Sequence, residues 1–156
     1  MAILIKKLIL VTLFIKLIYA NSYTYLLQEY EKETELESKI VLRIARDILD
    51  TKPVQLYIPK MKPLDDRVYS KEVKVVKNCK DANFIFVKYT EVSQCSKNKK
   101  LLILTNNYKQ LLSNSDFIGA FFWSKSRPNI VLVKQRLKKR GIDLPKEYNR
   151  YIEDLD

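Results

Sequence analysis

The chain has 156 residues, with 29 Lys+Arg against 18 Asp+Glu for a formal charge of +11, no histidine and only two glycines. The missing histidine excludes Ser-His-Asp and Cys-His catalysis and removes the commonest nitrogen ligand of a zinc site, so neither a metal nor a cofactor is expected. Gly119 and Gly141 belong to no G-x-G or Walker pattern, which excludes a glycine-rich phosphate loop.

Residues 1–20 read as a secretory leader. Lys6 and Lys7 precede an apolar run from Leu8 to Tyr19 that ends in the small residue Ala20, the layout of a charged front, a hydrophobic stretch and a cleavage point. Cleavage after Ala20 leaves 136 residues (156 less 20) and a charge of +8, from 26 Lys+Arg (29 less Lys6, Lys7 and Lys16) and 18 Asp+Glu. That length fits a single domain, residues 21–156. Lys16 interrupts the apolar run, so an uncleaved anchor in the inner membrane is the competing reading. Either route puts the rest of the chain outside the cytoplasm, periplasmic or secreted. Nucleic acid is then a poor partner for the basic charge. Anionic lipid surfaces, cell-wall polymers and acidic ligands or proteins are better ones.

Tyr25 to Asp50 carries a helical stripe of Tyr30, Thr34, Glu37, Val41, Ile44 and Ile48, widened by Ile40, Ala45 and Leu49 in the second half. The second half is expected to be buried and residues 21–37 to project. Glu29, Glu31, Glu33, Glu35 and Glu37 at the front and Arg43 and Arg46 at the back follow the helix dipole. The acidic, aromatic front is either a solvated face or a docking surface for a second protein.

Short β-prone runs follow at Val54–Ile58, Glu72–Val76, Phe84–Tyr89 and Leu101–Thr105. The third and fourth are continuously apolar, as central strands covered on both faces are; the second alternates and belongs nearer an edge. Between the first two, Pro59 to Ser70 is expected to be a structureless connector, with the adjacent pair Asp65 and Asp66 in a turn. Cys79 and Cys95 are the only cysteines, and in an exported chain they are expected to form a disulfide across the third strand. Asn106 or Asn107 caps a short helix that turns Tyr108, Leu111 and Leu112 inward.

Residues 117–123 and 129–133 then form a hairpin, followed at once by a basic helix that stops at Gly141. At its tip Trp123, Lys125 and Arg127 make a candidate site for an anion or a partner. The plainer reading ends a buried strand at Trp123 and leaves the two cations in solvent. Lys134, Arg136, Lys138, Lys139 and Arg140 on the helix serve either a membrane surface or ordinary C-terminal charge complementarity. The tail from Pro145, with Tyr148, Tyr151, Ile152 and Leu155, is expected to be a helix lying over the sheet. Interleaved strands and helices give an α/β architecture: a small mixed sheet, parallel in the middle, finished by an antiparallel hairpin and covered by helices, with a long N-terminal helix.

This order of elements resembles the YfiR-like periplasmic family. The resemblance covers roughly residues 38–144, through SKIVLRIARDILD before the first strand, a cysteine before an apolar strand, LLILT, and IGAFFW, turn, NIVLVKQRLKKRGI. It implies a small non-enzymatic α/β protein that binds or restrains the periplasmic part of membrane signalling proteins, diguanylate cyclases among them. Here PKMKPLDDRVYS stands where that family has a helix, Cys79 lies several residues ahead of its strand, and the element from Pro145 to Leu155 is additional. The function expected is therefore a periplasmic binding or regulatory module for a membrane sensor or a small ligand, with homodimerisation open. An exported solute-binding component is the alternative, and a cell-wall-active enzyme stands third.

Overall fold

The computed structural model describes residues 29–50, 52–89 and 101–155. The expected leader, the expected start of the long helix before residue 29, and Cys95 lie outside the described residues. The chain forms two compact units, Met1–Glu35 and Leu36–Asp156. Of the first, the described part is helical, and Thr34 donates its hydroxyl to the Tyr30 carbonyl at 3.0 Å.

The second unit is α/β. Helix α1 (29–49) buries Val41, Leu42, Ile44 and Ala45. Its burial starts earlier than the apolar stripe predicts, because Glu37 and Ser38 are also inside, at 5% and 2% exposure. After it come β1 (Gln55–Tyr57), α2 (Pro63–Tyr69), β2 (Lys74–Val75), β3 (Phe84–Val87), β4 (Leu102–Thr105), α3 (Tyr108–Ser113), β5 (Phe117–Ser124), β6 (Arg127–Val133) and α4 (Lys134–Lys139). A 3-10 turn (Lys146–Tyr151) and β7 (Ile152–Glu153) complete it.

The strands form one sheet in the order β2-β1-β3-β4-β5-β6-β7. Pairing is parallel from β2 through β5 and antiparallel between β5 and β6; β7 runs parallel to β6. β3 and β4 are buried at every position, which is why their sequences are unbroken apolar runs. One face packs Leu56, Phe84, Phe86, Leu104 and Leu132 against α1, α2 and α4. The other packs Ile85, Ile103, Phe117 and Val131 with Leu111 of α3.

Three expectations fail in whole or in part, each for a local reason. Pro59–Ser70 is not structureless, since Pro63 opens α2, where its missing N–H costs nothing and its fixed φ suits a first helical turn. Asp65 and Asp66 are thus in the first turn of a helix. The tail is helical only in part: a 3-10 helix over Lys146–Tyr151 follows Pro145 and buries Tyr148, and then Ile152 and Glu153 pair with Leu132 and Val133 and extend the sheet by a strand. Leu112, expected inward, is 52% exposed, because α3 is six residues long and Tyr108 and Leu111 already occupy its inner side. Its cap is Asn107, whose Oδ1 accepts from the Lys109 and Gln110 amides at 2.9 and 3.3 Å.

Two glycines meet steric demands. Between β4 and β5 the register skips Ile118, and at the following position a Cβ on Gly119 would come within 2.5 Å of the Val131 carbonyl. Gly141 ends α4 at φ +66°, with its own amide on Lys138 O and that of Ile142 on Leu137 O, both at 3.0 Å.

Candidate functional site

A buried group of interacting ionisable side chains lies where the strand order reverses. The chain places β2 on one side of β1 and then crosses over to place β3 on the other, so the carboxyl ends of β1 and β3 flank the position where open parallel sheets receive their ligands. Lys88 and Tyr89 are the first residues after β3, and Asp65 is the third residue of α2. Glu37 reaches the same place from α1, on the buried side that continues into Val41.

Lys88 Nζ donates to Glu37 Oε1 at 2.5 Å and to Asp65 Oδ1 at 2.6 Å, and the three side chains are 5%, 6% and 1% exposed. Tyr69 Oη donates to Glu37 Oε1 at 3.0 Å and Tyr89 Oη to Asp65 Oδ2 at 2.7 Å. The Lys62 amide adds a contact to Asp65 Oδ2 at 3.3 Å. Lys88 also stands 5.3 Å from the Tyr89 ring centre and 6.0 Å from those of Tyr69 and Phe86. The result is a clamp that ties α1, α2 and β3 together through one ammonium and two carboxylates.

Lys88 and Tyr69 hold their protons. Burial pushes the Glu37 carboxyl above its ordinary range, and the attraction of Lys88 only partly offsets that. Burial by itself would lower Lys88, but the charges of Glu37 and Asp65 and their hydrogen bonds outweigh it and hold the ammonium above its usual range. Burial and the facing Glu37 raise Tyr69 well above the ordinary phenol range. A lysine fixed as ammonium is no nucleophile, and a phenol fixed as neutral is no base. What this arrangement does chemically is hold three elements in register.

The hairpin residues are placed differently. β5 continues four residues beyond Ala120, the partner of Thr105 at the end of β4, so the tip overshoots the sheet by about 13 Å at ~3.3 Å per residue. Lys125 and Arg127 are exposed there. Trp123 is half-buried and packs edge-on against Phe121, with centroids 5.8 Å apart at 89°. Trp123 pairs with Pro128 while Ser124 pairs with Arg127, so the indole and the Arg127 side chain leave opposite faces of the ribbon. The tip thus brings the two cations together and turns the aromatic ring toward the core. Lys125 and Ser126 form the turn with φ of +49° and +58°, a type I′ geometry built without glycine.

On the basic helix, Arg136 is buried and donates to the carbonyls of Leu111, Asn114 and Phe117 at 2.9, 3.0 and 3.0 Å. Arg140 donates to the Asp116 carbonyl at 3.0 Å. These two bind the loop after α3 instead of facing outward, leaving Lys134, Lys138 and Lys139 as the exposed cations of α4. No free thiol occurs among the described residues, which include Cys79.

A groove of about 790 Å³ lies along the edge strand β2. Its lining includes Lys60, Lys62, Lys74 and Lys77, with Asp66 the only acid, and the apolar side chains of Ile58, Met61 and Val75. The four lysines are exposed, and none has a salt bridge among the described residues. Lys62 is 4.3 Å from the Tyr89 ring centre, which links this groove to the clamp.

Sequence reasoning missed the clamp and the groove. One signal for the clamp was legible: Glu37 occupies a position of the buried helical stripe, where an acid demands a partner. Lys88 directly after a doubly buried strand was the other. No protein-family model and no curated protein matches the chain.

Proposed function

We propose that the protein is an exported, non-enzymatic binding module that acts on an acidic surface of a membrane signalling protein. The observation that carries this reading is the distribution of unneutralised charge. Lys60, Lys62 and Lys77 follow the carboxyl ends of β1 and β2, and Lys125 and Arg127 stand on the hairpin tip that overshoots the same end of the sheet. Glu37, Asp65 and Lys88, buried near that end, are paired with one another in the clamp. Basic side chains with no ion pair among the described residues suit long-range steering and capture of an acidic partner, and they need no core rearrangement to act. The layout resembling the YfiR-like family points the same way.

The test is photo-cross-linking in the native host from a benzophenone side chain at Ser126, with the charge-reversed tip Lys125→Glu/Arg127→Glu in parallel. The reading predicts an adduct with one integral membrane protein, lost in the reversed tip while the melting temperature stays unchanged, as surface substitutions normally leave it. An adduct-free protein that carries a small molecule through native mass spectrometry would replace this reading with the solute-binding one.

A further inference from the structure

The groove beside β2 has features that a solvated lysine patch does not need. Short edge strands guarded by lysine are a common defence against aggregation, and Lys74 on a two-residue strand meets that description by itself. Defence of the edge does not call for Lys60 and Lys62, which follow β1, nor for Ile58, Met61 and Val75 in the same lining. Basic and apolar side chains lining one groove complement a segment that carries both acidic and apolar side chains. The backbone agrees: the Val76 amide donates inward to Leu56 O at 2.8 Å, so the N–H and C=O of Val75, one residue earlier, point away from β1. Among the described residues no strand pairs with that side of β2.

We propose that this groove receives an extended acidic segment of the protein partner, laid beside β2 with its carboxylates on Lys60, Lys62, Lys74 and Lys77. The inference rests on the binding-module reading and adds the site and the chemistry of the segment. Backbone pairing to Val75 sets the direction of the segment, Val75 and Met61 take its apolar side chains, and the lysines select acids for the others.

The experiment uses the mature protein and a labelled peptide alternating glutamate and valine, followed by fluorescence anisotropy at low and high salt. Binding is expected to weaken by at least about tenfold in Lys60→Glu/Lys74→Glu, to be unaffected by Lys125→Glu/Arg127→Glu, and to fall with salt as screening shortens the reach of the charges. Hydrogen exchange should slow at the Val75 amide when peptide is added. A lysine–valine peptide binding equally well, or full affinity in the groove variant, would overturn the proposal. So would a concentration-dependent doubling of mass that the groove variant abolishes, which would assign the groove to a second copy of this chain. Failure here with the Ser126 adduct intact removes only the groove; loss of that adduct together with peptide binding in the groove removes the membrane partner and keeps the site.

Discussion

Lys88 shows how one residue can hold three elements. Replacing it by Met leaves Glu37 and Asp65 facing one another in a site where their side chains are 6% and 1% exposed. Removing one member of a buried ion pair typically costs about 3–5 kcal/mol, and Lys88→Met should lose that much in urea unfolding. Glu37→Gln should cost clearly less, because burial already favours the protonated carboxyl there and an amide still accepts from Tyr69 and Lys88. The pH dependence has a definite sign. Tyr69 and Lys88 are raised in the folded state above ordinary values of 10.0 and 10.5, so their contribution is complete below about pH 10 and is lost as pH rises through their folded-state values. Wild type should therefore lose stability above about pH 10 more steeply than Tyr69→Phe; parallel alkaline slopes would contradict this. Glu37 is also raised, from 4.5, so its contribution is present in acid and is lost as pH rises through its folded-state value. Its protonation is not what would unfold the protein at low pH.

At the scale of elements, the hairpin β5–β6 carries a cost that a single substitution can relieve. Two consecutive left-handed L-residues at the tip each carry about 1 kcal/mol of backbone strain, and the second position of a type I′ turn favours glycine. Ser126→Gly should stabilise the protein by about 1 kcal/mol while leaving Lys125 and Arg127 in place; a loss of stability would mean that the serine side chain has a task of its own. The segment 90–100 after β3 poses a separate question, because Cys95 lies in it. We propose that Cys79 pairs with Cys95, closing a loop that contributes on the order of 3 kcal/mol. Thiol titration of unreduced protein should find no free cysteine and Cys95→Ala should melt lower, whereas two titratable thiols would refute the pairing. Elements with a strong local pattern were legible in the sequence: the doubly buried β3 and β4, the capped α3, the hairpin and the Gly141 stop. Those decided by contacts distant in sequence were not. α2 is a single two-turn element whose buried apolar residues are only Val68 and Tyr69, and β7 exists because β6 offers it an edge.

For the molecule as a whole, the clamp and the exposed cations divide two tasks at one end of the sheet. The buried charges are neutralised and bind α1, α2 and β3 together, while Lys60, Lys62, Lys77, Lys125 and Arg127 remain available to a partner. Sequence could locate Lys125 and Arg127, since a turn between two strands must be exposed. It could not show that Glu37, Asp65 and Lys88 meet, because their separations of 23 and 51 residues are bridged only by the fold. Among the described residues no helix is long and apolar enough to cross a membrane. The account's central claim is that the clamp is scaffold and the surface cations are function, and the variant Glu37→Gln/Asp65→Asn/Lys88→Met tests it most directly. Neutral groups of similar size keep acceptors for Tyr69 and Tyr89 and leave no buried charge, an exchange that is often neutral for stability. The measurement is the yield of the Ser126 photo-adduct in this variant: the account predicts a cooperatively folded protein with wild-type yield, and a protein that folds as well as wild type but forms no adduct would contradict it.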